Sequence, residues 1–219
     1  MRAITIVTTL WVVCGLAAAV PAGAAEPDSK TDQDAPCLPL KGLKVAVLTG
    51  EQFQSTEALM PIAMLTNRGA EVLVIGPSAG KAKCYDKDLH LLVHAAAADV
   101  SADDFDALVI PGGYAPRNIR KDEAVLDFTR AISKAGKPIA AICHGPQVLA
   151  TADVIEGRTM TCFSGVSAEL TDAGATYKDE PVIRDGNLVT SRLPKDIPVW
   201  LATMETVLTE YAEKVKKDD

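Results

Sequence analysis

The stretch Lys137-Pro138-Ile139-Ala140-Ala141-Ile142-Cys143-His144-Gly145-Pro146-Gln147 decides how the chain is read. Ile139 to Ile142 is an unbroken apolar run of strand length. "GPQVLATA" then begins a helix, with Pro146 in the first turn, where its missing N–H costs nothing. A strand that passes straight into a helix through so tight a turn puts Cys143 at the apex, the arrangement of a nucleophile elbow. There the sulfur would face a helix N-terminus and free N–H groups, and both favour thiolate. The N–H of His144, with one from the Gly112-Gly113 turn, would form an oxyanion hole. The competing reading of Cys143 is a small buried structural residue, which is common for free cysteines.

Outward from this stretch, strands alternate with helices. "LKVAVLT" from Leu43, "AEVLVIG", "FDALVIPGG" and "KPIAAIC" read as strands. "STEALMPIAMLTNRG" reads as a helix closed by Gly69. Pro61 fits only its first turn, so the helix is expected to begin near Glu57. "KDEAVLDFTRAISKAG" places Ala124, Val125, Phe128 and Ile132 on one face of a helix. "GPSAGKAKCYD" reads as a polar loop, and "DLHLLVHAAAADV" as irregular with room for a strand or hairpin. "RTMTCF" and "GATYKD" suggest short strands, "PVIRDGNLVTS" a hairpin, and "IPVWLATMETVLTEYAEKVKK" a terminal helix. The expected fold is α/β, a sandwich with a mostly parallel sheet. Ligands of such sheets bind outside the carboxyl ends of the strands. The turns at Gly50 to Glu57, Pro111 to Arg117 and Cys143 to Pro146 should therefore gather at one edge.

The 219 residues, 48% hydrophobic and 23% charged, suit one well-buried domain. A net charge of -7 argues against nucleic acid as the main partner. Residues 1–25 read as a signal peptide: Arg2, an apolar run from Ile4 to Val20, then small residues that suit cleavage near Ala24 or Ala25. Cys14 follows Val13, which does not suit lipid attachment. The expected organisation continues with a polar leader over 26–42, the folded domain over 43–212 and a charged tail over 213–219. The expected location is periplasmic or secreted. An oxidising compartment permits disulfides, and Cys37 and Cys84, both peripheral in this reading, are the candidate pair; Cys162 is left over.

Chemistry at the sheet edge needs a base and a third group. His144 is adjacent to Cys143. His90 and His94 lie four apart without a Cys, Asp or Glu at ligand spacing, which favours a partly buried or surface pair over a metal site. Glu57 reads in two ways: a partly buried acid tuning the thiol, or a simple acid in the first turn of a helix. No phosphate loop, dinucleotide fingerprint or metal cluster appears, so no cofactor and no metal are expected.

"KVAVLT" with "TEALMP", "FDALVIPGGYAP", "GKPIAAICHGPQVLATADVIEGR" and "DGNLVTSRLPKDIP" together resemble the PfpI/ThiJ family. That family lies within the class I glutamine-amidotransferase-like superfamily and includes the PfpI proteases and the parkinsonism-associated protein deglycase. The resemblance runs from about Leu43 to Tyr211. It implies a flavodoxin-like three-layer sandwich, an assembly at least dimeric, Cys143 as nucleophile, Glu57 as the carboxyl hydrogen-bonded to it, and His144 as the adjacent histidine. It also exposes departures from the protease branch. Arg117 stands where a neighbouring subunit's glutamate completes the Cys-His-Glu triad, Gln54 replaces a second acid, and Phe163 replaces a tyrosine. The resemblance therefore implies a deglycase- or glyoxalase-like enzyme of small carbonyl compounds. The alternatives are a peptidase, and a non-catalytic oxidant sensor or chaperone.

Overall fold

The computed structural model describes residues 38–218. The expected signal peptide, most of the leader and Cys37 lie outside the described residues.

Eleven strands and six helices follow in order among the described residues: β1 (Lys44–Leu48), α1 (Ser55–Asn67), β2 (Glu71–Gly76), β3 (Gly80–Lys83), β4 (His90–Val93), β5 (Ala95–Ala96), β6 (Ala107–Ile110), α2 (Ala115–Ile119), α3 (Glu123–Lys134), β7 (Ile139–Ile142), α4 (Pro146–Thr151), β8 (Thr159–Met160), α5 (Ser167–Asp172), β9 (Thr176–Tyr177), β10 (Val182–Asp185), β11 (Leu188–Ser191) and α6 (Ile197–Asp218). Seven strands form one sheet in the order β10-β11-β7-β6-β1-β2-β5. All its pairings are parallel except the β10–β11 hairpin.

The central strands β6, β7 and β11 are buried at every residue, and β6 and β7 accordingly read as continuous apolar runs and not as alternating ones. Side chains on β1 divide between the faces. Val45 and Val47 join Leu65 of α1 and Trp200 and Met204 of α6 in one core. Ala46 and Leu48 join Val125, Phe128 and Ile132 of α3 and Val148 of α4 in the other. Two helical layers thus cover one sheet, the expected three-layer sandwich.

Three local readings are corrected. The helix α1 begins at Ser55, so Pro61 lies in its interior and not in its first turn. Pro61 offers no N–H to the Glu57 carbonyl. That loss is offset at the helix start, where the Gln54 Oε1 accepts from the Glu57 N–H at 2.7 Å. The segment read as a polar loop contains β3, which pairs antiparallel with β4 in a separate small sheet. Cys84, read as peripheral, is buried, and its thiol donates to the Lys87 carbonyl at 3.0 Å. Its expected partner, Cys37, lies outside the described residues.

The strand order carries the functional consequence. β7, β6 and β1 are neighbours, so their carboxyl ends open onto one edge. Backbone bonds tie the turns there together: Tyr114 N–H to Gln52 O at 2.9 Å, Gln54 N–H to Gly112 O at 3.3 Å, and Cys143 N–H to Ser191 O at 3.0 Å.

Candidate active site

Cys143 follows the last residue of β7 with φ +61, a left-handed backbone that side chains other than glycine rarely adopt. The chain turns at once into α4. A side chain at Gly145 would overlap the Ile110 and Ile142 carbonyl oxygens, so only glycine fits there. The turn presses Cys143 against Gly112, where an added Cβ would meet the Cys143 Cβ at 2.7 Å and Glu57 Oε2 at 2.5 Å. These close approaches bring the thiol and the carboxyl group together.

Glu57 is fully buried. One carboxylate oxygen, Oε2, accepts from the Gly112 N–H at 2.9 Å. The other, Oε1, has no protein partner in normal hydrogen-bond geometry. Burial pushes the Glu57 carboxyl up from 4.5 to about 7, against the lowering effect of the Gly112 N–H and the Cys143 thiol. Glu57 therefore holds its proton until near neutrality, unlike an exposed first-turn acid.

The thiol departs from the expectation of an easily formed thiolate. Burial and the Glu57 charge push it well above its ordinary value. The N–H groups of Gly113 and His144 favour the sulfur anion but are outweighed. α4 is only six residues long, and its end field does not overcome the loss of solvent.

The expected oxyanion donors divide. The N–H groups of Gly113 and His144 act on the thiol and favour its anion. The Gly112 N–H is taken by Glu57 and does not serve. The His144 Nδ1 lies 3.2 Å from the Cys143 Sγ, and its ring stacks on Phe163 with centroids 4.9 Å apart. Burial lowers the His144 pKa, so the imidazole is neutral at pH 7 and able to accept a proton. Gln54 caps α1 and thereby fixes Glu57, while its Nε2 donates to Asp86 at 3.1 Å.

A cleft of about 410 Å³ opens over these groups, lined among others by Glu57, Cys143, His144 and Phe163. Tyr85 and Tyr114 stand at its rim, both exposed, in an edge-to-face pair with centroids 5.0 Å apart. The sequence reading missed both tyrosines, and also Asp86, which accepts from the Ser55 N–H at 3.0 Å and the Ser55 hydroxyl at 2.7 Å. All lie in turns without periodicity. Tyr114 had one signal, its place in the turn from Pro111 to Arg117, whereas Tyr85 and Asp86 lie between β3 and β4 and had none. His90 and His94 lie away from the cleft lining; the His94 Nδ1 accepts from the Val74 N–H at 3.0 Å and continues the edge of β2. Cys162 is buried, and burial pushes its thiol up to about 12.

Residues 43–206 match the DJ-1/PfpI family. An Escherichia coli K12 relative, Protein/nucleic acid deglycase 2, is 38% identical over 159 residues, covering 72% of this chain and 92% of its own. A Bacillus subtilis relative provisionally named a cysteine protease, YraA, is 40% identical over 157 residues, covering 72% of this chain and 93% of its own. The crystal structure of Drosophila melanogaster DJ-1beta superposes with a TM-score of 0.69 at 27% identity, covering 79% of this chain and 97% of that one.

Proposed function

The chain belongs to the DJ-1/PfpI family, and on that premise we propose that it is a cysteine-dependent enzyme acting on small carbonyl compounds or glycation adducts. Cys143 is the nucleophile and Glu57 carries its proton. The observation that supports this most directly is the buried Cys143–Glu57 pair, with a carboxyl that titrates near neutrality beside a thiol that does not ionise by itself. A base poised near the working pH suits general catalysis. The sulfur attacks an aldehyde carbon as its proton passes to Glu57. A C–S bond forms, and the carbonyl π pair moves to oxygen, where the Gly113 and His144 N–H groups can receive it. Glu57 then returns the proton to that oxygen, giving a hemithioacetal.

A peptidase reading is weaker. His144 stacks on Phe163 and has Arg117, not an acid, among its cavity neighbours. An oxidant sensor is weaker too, because it wants a thiol that ionises readily, and this one is pushed the other way. The test is release of lactate from methylglyoxal by the purified protein, a reaction that consumes one water per molecule. Lactate formation without cleavage of fluorogenic peptides is expected. Peptide cleavage without lactate would overturn the proposal.

Residues 1–25 support export, with removal of the leader. N-terminal sequencing of the mature protein is expected to begin at Ala25 or Glu26. A chain that retains Arg2 and the apolar run after it would refute that expectation.

A further inference from the structure

A second cavity of about 340 Å³ adjoins the cleft over Cys143 and shares Gly113, Tyr114 and His144 with it. Its remaining lining is Arg117, Arg120, Gln147 and Val166. Two arginines and no carboxylate thus line a cavity with one wall in common with the nucleophile's cleft. The two charges are not equivalent. Arg120 is ion-paired with Glu169, which also accepts from the Gln147 Nε2 at 2.7 Å. Arg117 is exposed, and among the described residues no carboxylate lies within ion-pair distance of it. In an acidic chain a cation left unpaired beside the nucleophile has a charge free for a ligand.

Gln147 supplies an independent sign. It is 6% exposed, and its Oε1 is buried without a donor. The amide orientation is fixed, because only its nitrogen can donate to Glu169. A buried acceptor without a donor is costly and calls for a partner.

We propose that this cavity is an anion subsite, and that Arg117 selects substrates carrying a carboxylate or phosphate group beside the reacting carbonyl. A guanidinium matches both anions through paired N–H groups. A small shift of the Gln147 side chain would let a hydroxyl or N–H near the anion satisfy its Oε1. Arg117 is then a specificity-determining residue. For the carbonyl end of the substrate this rests on the function proposed above; the subsite itself does not.

The experiment reads the subsite without any turnover. Full-length mature protein is alkylated with iodoacetate, an anion, or iodoacetamide, its neutral counterpart. In each case a C–S bond forms at Cys143, iodide leaves with the C–I electron pair, and the thiol proton is released to solvent. Modification of the Cys143 peptide is followed by mass spectrometry. The iodoacetate-to-iodoacetamide rate ratio is expected to fall about fivefold in Arg117→Gln, as for a partly exposed charge-assisted contact. Arg117→Lys should recover part of it, and Arg130→Gln, remote on α3, should keep the wild-type ratio. Equal ratios in wild type and Arg117→Gln would overturn the proposal. Protection of Cys143 from iodoacetamide by inorganic phosphate identifies a phosphate subsite, and protection by acetate a carboxylate subsite. Protection by neither also overturns it. If the ratio shifts as expected but no carbonyl substrate, neutral or anionic, is turned over, the proposed reaction fails and the subsite stands.

Discussion

Cys143→Ala is expected to lower kcat/KM for lactate formation by about a thousandfold or more, to the level of a protein that only binds its substrate. Nothing else described in the cleft can replace the sulfur. His144 is neutral and lies beside the thiol, while the Glu57 carboxyl is fully buried and accepts from the Gly112 N–H. Cys143→Ser should lose nearly as much. A serine hydroxyl holds its proton far more tightly than a thiol, and a Glu57 that titrates at about 7 is too weak a base to take it. Both variants should keep the wild-type circular dichroism spectrum, because alanine and serine fit the volume of this 8% exposed cysteine. Retention of more than about a tenth of wild-type kcat/KM in the alanine variant would remove Cys143 from the mechanism.

The sequence made the edge of the sheet legible because its three turns follow buried strands, and buried parallel strands leave unbroken apolar runs. "KPIAAIC" and "FDALVIPGG" show this most clearly. β3 stayed hidden for the opposite reason. Only Ala82 of its four residues is buried, so the strand carries no apolar pattern. The start of α1 was misplaced because the rule for Pro61 is local, whereas the helix start is held by Asp86, 31 residues from Ser55. The ionisation of the site was misjudged similarly. A helix N-terminus is visible in sequence, but the burial that opposes it is a property of the packed fold. Residues at helix spacing could be paired from the sequence. The Arg120–Glu169–Gln147 cluster could not, because it joins the residue after α2 to α4 and α5 across sequence separations of 22 to 49 residues.

Glu57→Gln should raise stability and abolish the pH dependence of activity together, a combination that a purely structural acid would not produce. The carboxyl titrates at about 7 in the folded protein and at 4.5 as an ordinary acid. Below 4.5 both states hold the proton, so wild type and variant should differ little on this account. Between 4.5 and about 7 the unfolded chain releases its proton first, and wild-type stability falls with rising pH. At about 1.4 kcal/mol per pH unit, the loss reaches about 3 kcal/mol above pH 7 and then levels off. The Cys143 thiol is pushed upward and stays protonated across this window, so it does not mask the change. Glutamine cannot ionise, and its oxygen can still accept from the Gly112 N–H. Denaturant melts should therefore show Glu57→Gln about 3 kcal/mol more stable than wild type at pH 8, with the gap closing toward pH 4.5. Turnover should move the other way. Wild-type kcat/KM is expected to rise through pH 7 as the carboxylate forms, and the variant should be flat and about a hundredfold or more slower. A variant that is less stable at pH 8, or that keeps the rising limb through pH 7, would show that Glu57 does not carry the thiol proton.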